Sequence, residues 1–259
     1  MFGLKVSTDE RVTRIVIDRP KALNALSPGM LSELIDVCAD LQRNDAVRVV
    51  VFAGEGSCFS AGADLPAFLA LLAGPDATAT ADLGRRATNA IAELPQVTVA
   101  GIRGHCIGGG LVLAGACDIR VAASDARFMI PELDAGIPLG WGAMEHLVRL
   151  VGETLAADLV LSGRAFGAEE ALRSRLVSRV VPTDRLDEEL ESLAATIARK
   201  PKIVLRITKR QILAIRGGCF DAREDANALL LSLKDSEALE TGTEYFAKRL
   251  RSKRAGGRL

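Results

Sequence analysis

The sequence lacks the features that mark several common classes of protein. Its 259 residues carry 33 Lys and Arg against 33 Asp and Glu, so no net charge attracts nucleic acid or an anionic membrane. The five cysteines are odd in number and form no Cys-x-x-Cys pair, which argues against a disulfide framework or a zinc site. No apolar run approaches membrane-spanning length, and the chain has only two histidines. These absences predict a globular, cytoplasmic protein without a nucleic-acid, membrane or metal partner.

Strand and helix patterns alternate along the first two thirds of the chain. Ser27 followed by Pro28 is typical of a helix start, and an amphipathic helix follows. The continuous apolar run 47–52 and the run 97–102 predict strands of a parallel sheet that is buried on both faces. Everything after Thr183 has helical patterns. The sequence therefore predicts an α/β core followed by a helical C-terminal subdomain.

Two glycine-rich loops follow predicted strands. The segment 104–110 leads directly into an apolar run, an order that predicts strand, glycine turn and buried helix. Backbone N–H groups at a helix start have no partner within the helix and can face an oxygen or an anion. The second loop, 54–64, lies past the carboxyl end of a strand, where α/β proteins commonly bind ligands. Together the loops could form an oxyanion hole, although each taken alone is explained equally by a tight turn.

Other catalytic arrangements have little support in the sequence. The two glycine-rich loops match neither the dinucleotide fingerprint nor the phosphate-binding P-loop. Ser60 lacks the leading glycine of a nucleophile elbow. His105 and Cys106 lie in the glycine turn, where structural roles are the simpler interpretation, and His146 is predicted to be structural or partly exposed. The segment 65–80, which Gly74 interrupts, predicts a helical flap.

Motifs along the chain resemble the successive signatures of the enoyl-CoA hydratase/isomerase superfamily, whose fold is called the crotonase fold. The segment 18–26, DRPKALNAL, is similar to the CoA-contacting segment near the start of that family. The other matching segments are 60–65 (SAGADL), 104–110 (GHCIGGG), 117–122 (CDIRVA), 128–132 (FMIPE) and 136–138 (GIP). Because these motifs occur in family order from about residue 12 to residue 182, together they are far more specific than any one of them.

The resemblance implies an α/β fold, a crotonase-like spiral of ββα repeats with a helical C-terminal subdomain. It implies that residues 1–195 form the spiral core for acyl-CoA binding and catalysis. Residues 196–259 are then a helical trimerisation region, which implies a homotrimer or a dimer of trimers. Coenzyme A is part of the implied substrate, so no separate cofactor is expected.

The resemblance also assigns roles to individual residues. The backbone N–H groups of Ala63 and Gly109 are implied to hold the thioester oxygen, and Glu132 is the implied catalytic acid-base group. Without the resemblance, Glu132 would be interpreted as an exposed turn residue. Contacts with the substrate or its CoA part are implied for six further residues: Ala22, Ala61, Asp64, Leu65, Gly108 and Trp141. Asp64 is also expected to fix its own loop.

One position departs from the family pattern. Hydratases of the family use two glutamates, and the first of these positions is occupied here by Val112. With Glu132 alone, the simplest retained chemistry is a proton shuttle that converts 3-enoyl-CoA into 2-enoyl-CoA, the Δ3,Δ2-enoyl-CoA isomerase reaction. Two alternatives stay open: hydration of 2-enoyl-CoA in fatty-acid β-oxidation, by Glu132 alone or with a second partner such as Asp134, and acyl-CoA binding without turnover.

Overall fold

The computed structural model of the chain describes residues 2–254, and a six-stranded sheet lies at its centre. The first two strands pair antiparallel and every other neighbouring pair is parallel. The strands in spatial order are β1 (Leu4–Asp9), β2 (Val12–Ile17), β3 (Val49–Gly54), β4 (Val97–Ile102), β6 (Ile119–Ala123) and β9 (Arg179–Val181). The predicted parallel sheet is thereby confirmed.

The structure also contains a second sheet of three short strands. It contains β5 (His105–Ile107), β7 (Arg127–Met129) and β8 (Phe166–Gly167), in that order. The segment 104–110 is therefore not a single turn, because β5 lies between two glycines with positive φ, Gly104 at 50° and Gly108 at 47°. Three residues are too few to show the alternation from which strands are predicted.

Helices cover both faces of the large sheet and make up the regular structure that follows β9 within the described residues. Met30 N donates to Ser27 Oγ at 3.3 Å, which confirms the predicted helix start. The helices are α1 (Pro28–Arg43), α2 (Leu65–Leu72), α3 (Ala77–Ala92), α4 (Gly109–Ala116), α5 (Ala143–Val151), α6 (Glu153–Ser162), α7 (Ala168–Arg173), α8 (Leu186–Ala198), α9 (Lys202–Arg216), α10 (Glu224–Lys234) and α11 (Ser236–Arg254). The predicted flap forms α2 and the start of α3, and Gly74 lies in the break between them.

The strand β3 shows why its sequence has no alternation. Val50 and Phe52 belong to the larger core, which also contains residues of α1, α3 and α4. Val49 and Val51 pack on the other face, where Leu190 of α8 covers them. A strand that is buried on both faces has no solvent side on which polar residues would be favoured.

The C-terminal helices confirm the helical prediction but leave many apolar side chains exposed. α9 is anchored by Lys209, which is 4% exposed and donates from Nζ to Gln96 O at 2.7 Å. The exposed apolar residues are Val204, Ile212 and Ile215 on α9, Leu229, Leu230, Leu231 and Leu233 on α10, and Leu239, Tyr245 and Phe246 on α11. Within residues 2–254, no helix has both the length and the apolar character needed to cross a membrane. The domain boundary after residue 195 stays a prediction.

Candidate active site

A short parallel bridge brings the two glycine-rich loops together. Ser60 N donates to His105 O at 3.0 Å, and Ile107 N donates to Ser60 O at 3.0 Å. These bonds pair Ser60 with Cys106 in parallel, so the residues three positions further along each segment, Ala63 and Gly109, come side by side. A Cβ placed on Gly62 would lie 3.6 Å from Gly109 N. The predicted juxtaposition of the two loops is therefore present in the structure.

The N–H groups of Ala63 and Gly109 are both free to bind a ligand. Leu26 N donates to Gly62 O at 2.8 Å and Asp64 N donates to Leu26 O at 3.0 Å, so the N–H of Ala63 points away from Leu26. Gly109 is the first residue of α4, where a backbone N–H has no partner within the helix. Neither N–H makes a hydrogen bond to any residue within 2–254. Two adjacent free donors at the positive end of a helix are the arrangement of an oxyanion hole.

Glu132 lies beside this pair of donors, in the loop between β7 and α5. Its carboxylate packs so closely on Gly108 that a Cβ placed there would lie 2.5 Å from Glu132 Oε1. Glu132 Oε2 is buried and has no hydrogen-bond partner among the described residues. Burial raises the pKa of Glu132 above the usual 4.5, because desolvation disfavours the charged form. A carboxylate with an unpartnered oxygen and a raised pKa is suited to accept and return a proton.

A cavity of about 310 Å³ joins the donors to the carboxylate. Ala63, Gly109 and Glu132 all line it, and Glu132 is the one charged residue among the described residues of its wall. The other walls are Leu65, Phe68, Leu69, Leu72, Ala81, Val112, Ile137, Pro138, Leu139, Gly140 and Trp141. A larger groove of about 760 Å³ lies between β2 and α8, and the described residues that line it include none of the predicted site residues. The smaller cavity is therefore the candidate site, since the chemical groups converge there.

Trp141 forms one wall of the cavity and packs against two glycines. A Cβ on Gly84 of α3 would lie 2.0 Å from the indole ring, and a Cβ on Gly109 would lie 2.5 Å from it. The ring of Phe68 is 5.9 Å away between centroids. Trp141 itself has φ of 58°, a left-handed conformation that a bulky residue adopts only when its surroundings hold it there.

The other residues predicted to contact the substrate are close to the site, but only Leu65 lines the cavity. Asp64 receives a bond from Ala67 N at 3.4 Å and pairs with Arg19 at 2.9 Å, so it fixes its own loop as expected. The remaining three lie in the supporting backbone: Ala61 N donates to Leu23 O, Gly108 N donates to Met129 O, and Ala22 ends a short 3-10 turn. Their contacts with a ligand stay predictions.

The predicted flap 65–80 supplies much of the cavity wall, but the residues that line the cavity were not predicted individually. Phe68, Leu69 and Leu72 of α2 and Ala81 of α3 supply much of the apolar wall. The only available signal was the apolar segment that forms α2, which shows no clear period and therefore does not reveal which side faces a ligand.

The thiols and histidines are poorly placed for catalysis. All five cysteines are free, and Cys106 and Cys117 are fully buried. Burial raises the pKa of Cys117 to about 12, so this thiol is not ionised at neutral pH. His105 is exposed, and burial lowers the pKa of the half-buried His146. Among the described residues, no group of His, Cys, Asp and Glu has the arrangement of a metal site.

Comparisons with known proteins show the family of the chain. Residues 7–253 match the family model described as enoyl-CoA hydratase/isomerase. The probable enoyl-CoA hydratase echA8 of Mycobacterium tuberculosis is 37% identical over 209 residues, covering 80% of this chain and 79% of that protein. The 2,3-dehydroadipyl-CoA hydratase of Escherichia coli is 34% identical over 230 residues, covering 86% and 89%.

Solved structures show the same fold. An enoyl-CoA hydratase/carnithine racemase from Magnetospirillum magneticum has a TM-score of 0.89 at 28% identity, covering 96% of this chain and 94% of that chain. Enoyl-CoA hydratase from Bacillus anthracis has a TM-score of 0.88 at 30% identity, covering 95% and 96%. The predicted α/β fold with a helical C-terminal part is confirmed. The chain thus belongs to the enoyl-CoA hydratase/isomerase (crotonase) superfamily and is an enzyme of that superfamily.

Proposed function

We propose that this enzyme acts on an acyl-CoA thioester and moves the double bond of a 3-enoyl-CoA to the 2-position. The observation that carries the proposal is the position of Glu132, a half-buried side chain with a buried, unpartnered Oε2, as the one charged group among the described residues of a cavity that the two free N–H groups also line. The family names of the relatives support the acyl-CoA substrate. Coenzyme A is part of that substrate, so the proposal includes no separate cofactor.

The proposed reaction moves one proton. Ionised Glu132 removes a proton from C2, and the electron pair is delocalised onto the thioester oxygen. The N–H groups of Ala63 and Gly109 stabilise the charge that develops there, and such donors typically contribute about 2.7–4 kcal/mol each. The now neutral Glu132 returns the proton to C4, which leaves the double bond between C2 and C3. Because the cavity is apolar, the carboxylate is a stronger base than one in water.

The composition of the cavity favours isomerisation over hydration. Adding water requires one group to activate the water and another to deliver a proton, whereas Val112 has no polar atom to contribute. Asp134, the alternative partner, is exposed and faces Gly163, where a Cβ would lie 2.7 Å from its Oδ2. It does not line the cavity. Hydration remains the second candidate because the named relatives are hydratases.

Product analysis separates these candidates. Incubation with 3-enoyl-CoA should yield 2-enoyl-CoA faster than the same enzyme adds water to 2-enoyl-CoA. In Val112→Glu, which supplies a second carboxylate to the cavity, the ratio of hydration to isomerisation should rise. Hydration without isomerisation by the unmodified enzyme would contradict the proposal. Acyl-CoA binding without exchange of solvent deuterium at C2 or C4 would instead identify a non-catalytic binding protein.

As the pH falls, the rate should begin to decline at a higher pH than it would if the base were a glutamate of ordinary pKa. Glu132 works as a base only when it is ionised, and burial raises its pKa above 4.5. Protonation therefore removes activity as the pH falls through this raised value. A profile of kcat/KM against pH measures the midpoint, since this ratio reports ionisation of the free enzyme. A midpoint at or below 4.5 would show that Glu132 is not the essential base.

We propose that copies of the chain assemble as a homotrimer or a dimer of trimers through the C-terminal helices. The exposed apolar side chains of α9, α10 and α11 support this assembly, because contiguous apolar surface is typical of protein interfaces. Sedimentation equilibrium should give the mass of three or six chains, and a monomer at micromolar concentration would contradict the proposal.

The five free cysteines support a reducing compartment, and we propose the cytoplasm.

A further inference from the structure

Ser60, which has little support from the sequence as a nucleophile, connects both halves of the proposed oxyanion hole. It is fully buried, and its hydroxyl donates to Asn24 O at 2.8 Å and accepts from Gly62 N at 3.1 Å. Gly62 directly precedes Ala63, one of the two donors. The backbone of Ser60 meanwhile pairs with β5, the strand that leads to Gly109. A single residue is therefore bonded to both segments.

The start of α4 also packs on Ser60. A Cβ placed on Gly110 would lie 2.8 Å from Ser60 Cβ and 2.9 Å from Ser60 O. Only glycine permits this approach, and Gly110 is the neighbour of the second donor, Gly109. Contact between Ser60 and Gly110 therefore limits how far the first turn of α4 can move toward the loop that contains Ala63.

Asn24, the acceptor of the Ser60 hydroxyl, is itself held rigidly. It is fully buried, with φ of 57°. Its side chain donates to Cys58 O at 2.7 Å and to Glu55 O at 2.9 Å, and it accepts from Arg19 N at 2.9 Å. Every polar atom of the Asn24 side chain is thus bonded. The Ser60 hydroxyl therefore donates to the carbonyl of a rigidly held residue, Asn24, and accepts from the N–H of Gly62, which it holds in place.

We infer that Ser60 is a positioning residue that sets the direction and spacing of the N–H groups of Ala63 and Gly109. The inference rests on the proposed function, in which both groups bind the thioester oxygen. Gly62 has φ of 99°, which leaves its backbone few steric limits. Leu26 N holds the carbonyl of Gly62, and the Ser60 hydroxyl holds its N–H. Without the hydroxyl, the Ala61–Gly62 peptide loses its hydrogen bond, and Gly62 is held only on the Ala63 side, by Leu26.

Ser60→Ala tests the inference with a spectroscopic probe, 2,4-hexadienoyl-CoA. The absorption of this conjugated thioester should shift to longer wavelength in the unmodified enzyme, because donors to the carbonyl oxygen polarise it. In Ser60→Ala the shift should shrink and kcat should fall about 10- to 100-fold, the effect of misplacing a catalytic group by up to about 1 Å. KM should change by less than about threefold, because the cavity walls that bind the acyl chain are untouched.

Thr13→Val is the matched control. Thr13 is also fully buried, and its hydroxyl lies 2.9 Å from that of Thr8, on β2 outside both loops. Both variants should unfold at a lower temperature, but only Ser60→Ala should lose the spectral shift and the turnover. If Ser60→Ala does not fold, Ser60→Cys keeps a weaker donor and acceptor and should give a reduced shift.

The outcomes distinguish this inference from the proposed function. A full shift and unchanged kcat in Ser60→Ala or Ser60→Cys would overturn the positioning role and leave the proposed function intact. Equal losses of shift and turnover in Thr13→Val would also overturn it, because the effect would then be general destabilisation. Absence of any shift or turnover in the unmodified enzyme would overturn both.

Discussion

Replacing Glu132 by glutamine is expected to lower kcat for double-bond transfer by about 10²- to 10⁴-fold, the usual contribution of a positioned acid-base group. Glutamine keeps the shape of the side chain but cannot take a proton from C2 and return it to C4. The cavity offers no replacement, because Glu132 is the one charged residue among its described walls. Stopped-flow absorbance at the wavelength of the conjugated 2-enoyl thioester measures the rate.

Asp134→Asn is the control for this substitution. Asp134 is an acid two residues further along the same loop, but it is exposed and faces Gly163 instead of the cavity. Its replacement should leave kcat within about twofold, as expected for a surface change. Retained activity in Glu132→Gln, or equal losses in the two variants, would rule out the assigned role.

Glu132→Gln should also make the folded protein more stable at neutral pH. Burial raises the pKa of Glu132 above its unfolded value, so the folded state keeps a proton in a pH range where the unfolded state has lost it. The contribution of Glu132 to the free energy of unfolding is therefore largest below about pH 4.5 and declines as the pH rises through the raised pKa. Glutamine does not ionise, so the free energy of unfolding of the variant should exceed that of the unmodified protein at pH 7, and the difference should vanish in acid.

The second large effect is expected from Lys209→Met, which should lower the free energy of unfolding by about 3–5 kcal/mol, as when one partner of a buried ion pair is removed. Lys209 Nζ lies 2.8 Å from Asp118 Oδ2, and the two side chains are 4% and 16% exposed. Desolvation lowers the pKa of Lys209, while Asp118 acts in the opposite direction. The substitution leaves Asp118 without its cation and Gln96 O without its donor.

Urea denaturation followed by circular dichroism measures this loss. Lys202→Met is the matched control, because Lys202 lies on the same helix and pairs with Asp45 at 3.5 Å at an exposed site. Exposed pairs contribute about 0.2–1 kcal/mol, so the control should change little. The double variant Lys209→Met with Asp118→Asn should lose less than the sum of the single variants, because no buried charge is left unpaired. Equal effects at Lys209 and Lys202 would contradict the prediction.

How much the sequence predicts depends on whether a feature is local. Ser27 and Pro28 predict the start of α1 because a helix cap is set by adjacent residues. The strand β5 and the short pair β8 and α7 were missed, since each is too brief to show a period. The conformation of β5 and β8 is set by pairing with a distant strand and not by their own side chains.

The same distinction applies to the candidate site. Ala63, Gly109 and Glu132 lie in compact motifs, so a family resemblance identifies them and the structure brings them together. The Lys209–Asp118 pair joins α9 to the residue before β6, and no local pattern links two positions so far apart in the chain. The proposed role of Ser60 could not be predicted from the sequence either, because it depends on contacts with Asn24 and Gly110, which lie in different segments.

The packing of Trp141 has a practical consequence. It is the only tryptophan of the chain, and its indole ring lies between Gly84 and Gly109 in the wall of the cavity. Intrinsic fluorescence excited at the red edge of indole absorption therefore originates from this one residue, which lies beside the free N–H of Gly109. A ligand that enters the cavity changes the polarity around that ring, so emission from the unlabelled protein follows occupancy of this site alone, without background from a second fluorophore.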